Sequence, residues 1–488
     1  GAGGGMNKVL GFAPDSDPTT PGVLVDCENL IPSELGMRPG PTITPVGVAP
    51  TAQDVRGALA AIDLNGNRLA VVGTQAGLLT LSGSGWSDIS GPGAPFALGN
   101  DERWSLAQFA NSTVASCRSA GMHIATGGSF APLDDAPKAK ILASLKGFVM
   151  AFNTTESTYG DSPDRWWCSA YLNAQDWAPN VATLCTTGRL VESGGEITAA
   201  HRLGDDIIVY KRRSTYVGRY TGPAEVWNFT QVDSDVGCVG QDAVCDTGKA
   251  HFFIGDDDIY AFDGVQVQPI GRGVLRDWFV QVRDPKAMHR AQAFWDKQNQ
   301  LAWFFFPSVM GGGELDFGLV YHPSTGKWGR ANHYIRALVR YASPAASYDG
   351  GSELVTSYDG GPGIDFDSPF WAESQELMSG FDAQNRLVTF AGVPGPSSFT
   401  TGDFGDEDQQ TLCDRLVLRL KEAPASAWAT GFTKDDGGQV ATQASIAIRD
   451  DAAFDMRQRG RWHRFKVDMT GDYALIGIRP RLKQAGYR

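Results

Sequence analysis

The sequence predicts an all-β protein: a β-propeller of about six or seven blades, with an extended N-terminal arm and a small C-terminal β domain. Three observations carry this expectation. Glycine (59) and proline (26) are abundant in the 488 residues, and apolar runs at helical period are scarce, a pattern of short strands joined by tight turns. A small unit of strand-like runs recurs roughly every 40–55 residues, as propeller blades do. Most units end on a Trp or Phe, which favours blades over a pair of β-sandwiches.

Taken in order, residues 1–5 read as a flexible leader, or the scar of an expression tag, ahead of Met6. Residues 6–55 form an arm, rich in Pro and Gly, with apolar residues only in bursts such as Val23-Leu24-Val25 and Leu30-Ile31. Such a segment gains order by lying on a larger surface, its own propeller or a neighbour's, because ordering alone costs about 1–2 kcal/mol per residue. If it clamps subunits together, Val23, Leu24, Val25, Leu30, Ile31 and Arg38 are its anchors, and deleting residues 6–50 leaves a propeller that folds but assembles poorly.

The predicted propeller spans residues 56–395. Its first meander runs from Ala58 to Trp86, broken at Asn65-Gly66-Asn67 and Gln75-Ala76-Gly77. The same grammar returns at Ile197–Val232, Ala243–Ile270 and Ala291–Arg330, and more faintly at Ile141–Trp177. After Pro394-Gly395-Pro396, Thr400 to Gln410 reads as a flexible acidic linker. Alternating runs then mark residues 396–488 as a small β domain or ring-closing strands.

Composition excludes several functions. With 42 Lys+Arg against 55 Asp+Glu, the net charge of −13 disfavours binding polyanions over the whole surface, though not through a local patch. No stretch approaches the ~20 apolar residues of a membrane span. Seven scattered cysteines, never spaced C-x-x-C, indicate neither a zinc site nor a disulfide framework, and imply assembly in a reducing cytoplasm with seven free thiols. Seven histidines show no H-E-x-x-H or H-x-H pairing. No cofactor is indicated.

Two acidic clusters offer cation ligands or acidic loop and lumen residues: Asp256, Asp257 and Asp258 in a predicted hairpin, and Asp403, Asp406, Glu407 and Asp408 in the linker. Neither has the spacing of a 12-residue calcium loop, so a solvated turn and a linker are the simpler readings. Ser82 to Trp86 lacks the helix that a nucleophile elbow needs. Arg457, Arg459, Arg461 and Arg464 crowd one stretch, as candidate contacts to DNA phosphates or an acidic subunit, or as a charged strand face that keeps an edge soluble.

Several blocks carry a likeness. Pro21–Pro41 holds an Asn-x-x-Pro step (Asn29, Pro32) and Arg38-Pro39-Gly40 flanking Gly36; Arg103–Cys117 and Phe130–Phe152 follow, with Ala136-Pro137-Lys138-Ala139 the sharpest piece, then Trp166–Trp177. In order and spacing these resemble the tail nozzle proteins of short-tailed phages, also called tail tubular protein B, and the related tail hub (packaged-DNA stabilisation) proteins. The resemblance implies a non-enzymatic virion structural protein, assembled in the host cytoplasm. It also implies a hexameric ring below the portal and tail adaptor protein, meeting tail fibre, spike or needle proteins, that retains and then conducts double-stranded DNA with transient contact. Two other classes compete: a propeller enzyme acting on glycans through a carboxylate pair, and a receptor- or glycan-binding adhesin module.

Overall fold

The computed structural model describes residues 5–341, 377–435 and 440–485; the first four leader residues lie outside them. The chain is all-β, and Arg276–Val282 is the one α-helix among the described residues. Seven four-stranded antiparallel meanders form the propeller. Blades 1 to 6 are contiguous in sequence and begin at Ala58, Ser105, Lys138, Ile197, Val244 and Gln292. Blade 7 is composite: Ala337–Tyr341, Leu377–Phe381 and Leu387–Gly392 are completed on the outside by arm residues Thr42–Pro45.

The ring closes because a four-stranded blade cannot bury both faces alone. Its apolar positions cluster between blades rather than within them. Trp104 fills the wedge between blades 1 and 2, its indole N–H donating to the Thr74 carbonyl at 2.8 Å, while Gly73 leaves no room for a Cβ beneath the ring. Trp166 of blade 3 meets Phe229 of blade 4 at 4.9 Å, and Trp86 of blade 1 meets Phe381 of blade 7 at 5.7 Å. The aromatic closers of the repeats are thus inter-blade wedges.

Within the single chain the arm lies on its own propeller and C-terminal domain. Val23, Leu24, Leu30 and Ile31 are buried and Val25 is half-buried, so their apolar surface is spent within the molecule. Val23–Glu28 pairs with Ser397–Thr401, and the hairpin Leu30–Pro32/Met37–Pro39 bridges the outer strand of blade 6 to Leu475–Gln484. One ten-stranded sheet therefore runs from blade 6 through the arm into the C-terminal domain. A Cβ at Gly329 would sit 2.3 Å from the Leu30 carbonyl oxygen, and one at Gly36 2.0 Å from that of Leu475. Both seams depend on glycine.

The C-terminal domain is two sheets face to face. Leu416, Leu418, Phe454 and Met456 of one share a core with Phe399, Phe465, Val467 and Met469 of the other. The predicted linker is ordered: Thr400 belongs to a strand, and Phe404–Gly405 pairs with His463 and Trp462. Alternation with period 2 anchors this stretch in a sheet despite its acidic side chains.

Candidate functional site

The segments leading into the inner strands meet at one mouth of the propeller channel. They carry Asp54 and Arg56 before blade 1, Asp101, Glu102 and Arg103 before blade 2, Asp242 before blade 5, Arg290 before blade 6 and Arg336 before blade 7. Most of these line a cleft of about 240 Å³. Most of the charges are spent on one another: Arg336 pairs with Asp54, Arg103 with Asp242, and Arg290 donates to Asp101 at 2.9 Å, with His289 3.3 Å from the same carboxylate. Blades 2 and 5, and blades 2 and 6, are not neighbours, so two of these pairs span the axis. Ion pairs between non-adjacent blades tie the ring together across this mouth, beside the cleft. Gln292 adds a staple, donating to the Arg336 carbonyl at 2.7 Å and accepting from Leu338 N–H at 2.9 Å.

The Asp256–Asp258 hairpin of blade 5 opens on the same face, and its three carboxylates differ. Asp256 accepts from Arg212 at 2.7 Å and Arg213 at 3.2 Å. Asp257 accepts from the Tyr260 hydroxyl at 2.6 Å and from Arg276 at 3.0 Å, contacts that outweigh burial and hold its carboxyl below the usual range. Asp258 is 1% exposed, which corrects the solvated-turn reading for this residue. One oxygen accepts from Ile259 N–H at 2.7 Å and the other, Oδ2, has no protein partner. Burial pushes its carboxyl up to about 6. It lines a cleft of about 650 Å³ with Asp257, Tyr260, Val267, Arg272 and Arg276.

A carboxyl raised from 3.8 to about 6 binds protons more tightly folded than unfolded, so it favours the fold in acid and costs stability as pH rises through about 6. Asp258→Asn is therefore expected to stabilise at pH 7.5, by up to about 3 kcal/mol, with the gain vanishing below pH 4. Melting curves of both proteins across pH check this; a variant less stable at every pH would contradict it.

The remaining candidates part company. Asp403 holds Arg464 with two bonds, of 2.8 and 3.1 Å, in the second sheet of the C-terminal domain. Asp406, Glu407 and Asp408 are exposed in the turn beyond it, where the Glu407 carbonyl accepts from Arg461 at 3.1 Å. None of these acids lies at the channel mouth. Arg457 and Arg459 point outward from Ala453–Gly460 in the first sheet, so strand alternation and a turn separate four arginines that sequence put together. Arg38 donates to Asn299 of blade 6 at 3.2 Å. All seven cysteines are free and buried. Sequence reading missed the ion pairs at the mouth, whose partners lie more than a hundred residues apart and leave no local signal.

Among the described residues no group of three or more His, Cys, Asp or Glu side chains could hold a metal ion, and no helix is long and apolar enough to cross a membrane. Fold and site together define a β-propeller module joined to a C-terminal two-sheet domain. No family model and no curated protein matches the sequence. Solved structures similar to it include the extracellular domain of a one-component system of B. thetaiotaomicron (TM-score 0.37, 11% identity, 84% of this chain and 46% of that one). PorZ, a surface component of the type-IX secretion system of Porphyromonas gingivalis, gives TM-score 0.34 and 10% identity over 82% of this chain and 51% of its own. Virginiamycin B lyase of Staphylococcus aureus gives TM-score 0.30 and 9% identity over 54% of this chain and 96% of its own. The chain spans about half the length of the first two. Blade number and topology rest on the strand pairings above.

Proposed function

We propose that this chain is a non-catalytic structural subunit, a propeller module of a ring at the genome exit of a short-tailed phage tail. One observation carries the reading: a block of sequence that resembles the nozzle family, Pro21–Pro41, is the block that joins propeller to C-terminal domain. Asn29 adopts φ +50 and its side-chain amide donates to the Pro396 carbonyl at 3.3 Å. Gly36 admits Leu475, and a Cβ at Gly40 would sit 2.5 Å from the Asn29 side-chain oxygen. A motif spent on joining two domains suits a structural part, and most charged groups at the channel mouth are already paired with one another. On this reading the subunit meets copies of itself, the tail adaptor and the tail fibre, spike or needle proteins, and is assembled in the host cytoplasm.

Negative-stain imaging and light scattering of the purified protein are expected to show a sixfold ring with a central hole. A protein that stays monomeric at high concentration, alone and with an adaptor, would overturn the proposal.

A second reading, a glycan- or receptor-binding module, is favoured by the cleft beside Asp258, which Arg276 and Arg272 also line and where one buried carboxyl oxygen, Oδ2, has no protein partner. It requires binding of sugars or cells by the isolated protein, and a glycosidase would in addition lose turnover when one carboxylate is removed.

A further inference from the structure

We propose that the outer face of the first C-terminal sheet binds the phosphate backbone of duplex nucleic acid. The face follows from register. Thr411–Leu420 is the middle strand, flanked by Leu475–Gln484 and by the edge strand Ala453–Gly460. Cys413, Leu416 and Leu418 point into the core with Phe454, Met456 and Ile478, so the opposite parity points out. Arg479 lies opposite Val417, Arg481 opposite Arg415, and Lys483 and Arg459 flank Leu412 from either side. Arg419 and Lys8 flank Gly477. With Arg457 this places eight cations on one face.

Two carboxylates share that face, Asp414 and Asp455. Asp414 is held down to about 2, first by Arg481, and also contacts Lys483 at 2.6 Å; Asp455 faces Arg449 at 3.0 Å and Arg415 at 3.8 Å. At the rim Arg449 and Asp451 offset each other, 3.6 Å apart. Eight cations against two acids leave the face at +6, on a chain whose net charge is −13. Among the described residues Lys8, Arg419, Arg457 and Arg479 meet no carboxylate, and all four are exposed.

Protection of a sheet edge does not account for this, since Arg415 and Arg419 lie on the middle strand. Nor does the face suit a protein partner: its apolar groups are Leu412, Val417 and the Met6 side chain over Gly477, with none of the aromatic anchors that protein interfaces use. The lack of aromatic side chains also removes the stacking platform that single strands require. What remains is a flat array of guanidinium and ammonium groups, which suits phosphates arranged in space and carries no base readout. The inference does not depend on ring formation.

The test is fluorescence anisotropy of a labelled 20-bp duplex of arbitrary sequence, titrated with full-length protein at several salt concentrations. Binding is expected at 50 mM salt, with log K falling against log salt at a slope of about −4, as four or five displaced counter-ions give. The variant R419E/R457E/R479E, checked for an unchanged melting curve, is expected to bind at least about tenfold more weakly. A control variant R212E/R213E, on blade 4, should bind as the parent does. Absence of binding at 50 mM salt, or equal loss in both variants, overturns the proposal, and so does preference for a single strand. Binding by a protein that stays monomeric would support this face while overturning the ring.

Discussion

Deleting residues 6–50 is expected to abolish the fold, not merely assembly. Leu24, Leu30 and Met37 are 0% exposed, and Ile31 and Val46 nearly so. Removing these five side chains, at about 2–5 kcal/mol each, costs as much as the whole ~5–15 kcal/mol by which a domain is stable. The deletion also strips the outer strand from blade 7, opens the join between blade 6 and Leu475, and bares the edge at Ser397–Thr401. Circular dichroism and a thermal melt decide it. A truncated protein with a cooperative transition near that of the full chain would show that the arm is accessory, as a subunit clamp would be.

The second large effect is acid destabilisation centred on His251. The ring is 0% exposed between blades 4 and 5. Its Nδ1 accepts from the Tyr210 hydroxyl at 2.7 Å, while Nε2–H donates to the Arg202 carbonyl at 2.9 Å. Charging the ring would make the Tyr210 hydroxyl the acceptor and leave its own proton without a partner in the core, and burial, with His201 nearby, lowers the His251 pKa to about 3. Burial also lowers His123, His201, His322, His333 and His463. A folded pKa below the unfolded value means that the unfolded chain binds more protons below about 6.5, so stability is lost as pH falls from there. His251 alone accounts for roughly 2 kcal/mol by pH 5. Asp258 works the other way over part of this range, but one carboxyl is set against six imidazoles. Melting temperature is expected to fall steeply from pH 7 to pH 5, and less steeply in His251→Gln. A flat profile in the parent protein would sink the argument.

Much of the propeller was legible because five of its first six blades read as contiguous meanders with their own turns, most closing on an aromatic wedge; blade 2, Ser105–Pro132, entered only through the family resemblance. Blade 7 was not. Its inner strand and the next are separated by residues 342–376, and its outer strand comes from the arm, so no local repeat marks it. The arm itself was legible as unable to fold alone, but not as to where it lies. Its apolar bursts say that it must be covered, and a neighbour would cover them as well as its own chain does.

The same division runs through the candidate sites. Local sequence determined strand, turn and parity: Arg457 and Arg459 share a face because side chains two apart on a strand always do. It could not bring Lys8, Arg419 and Arg479 beside them, or Asp101 to Arg290 across the channel, since those meetings depend on which strands pair over hundreds of residues. Tertiary structure decided them, because a blade buries its faces only against neighbours. Closing the ring and filling the core between two sheets therefore selects the long-range partners, and the charged groups go where that packing carries them.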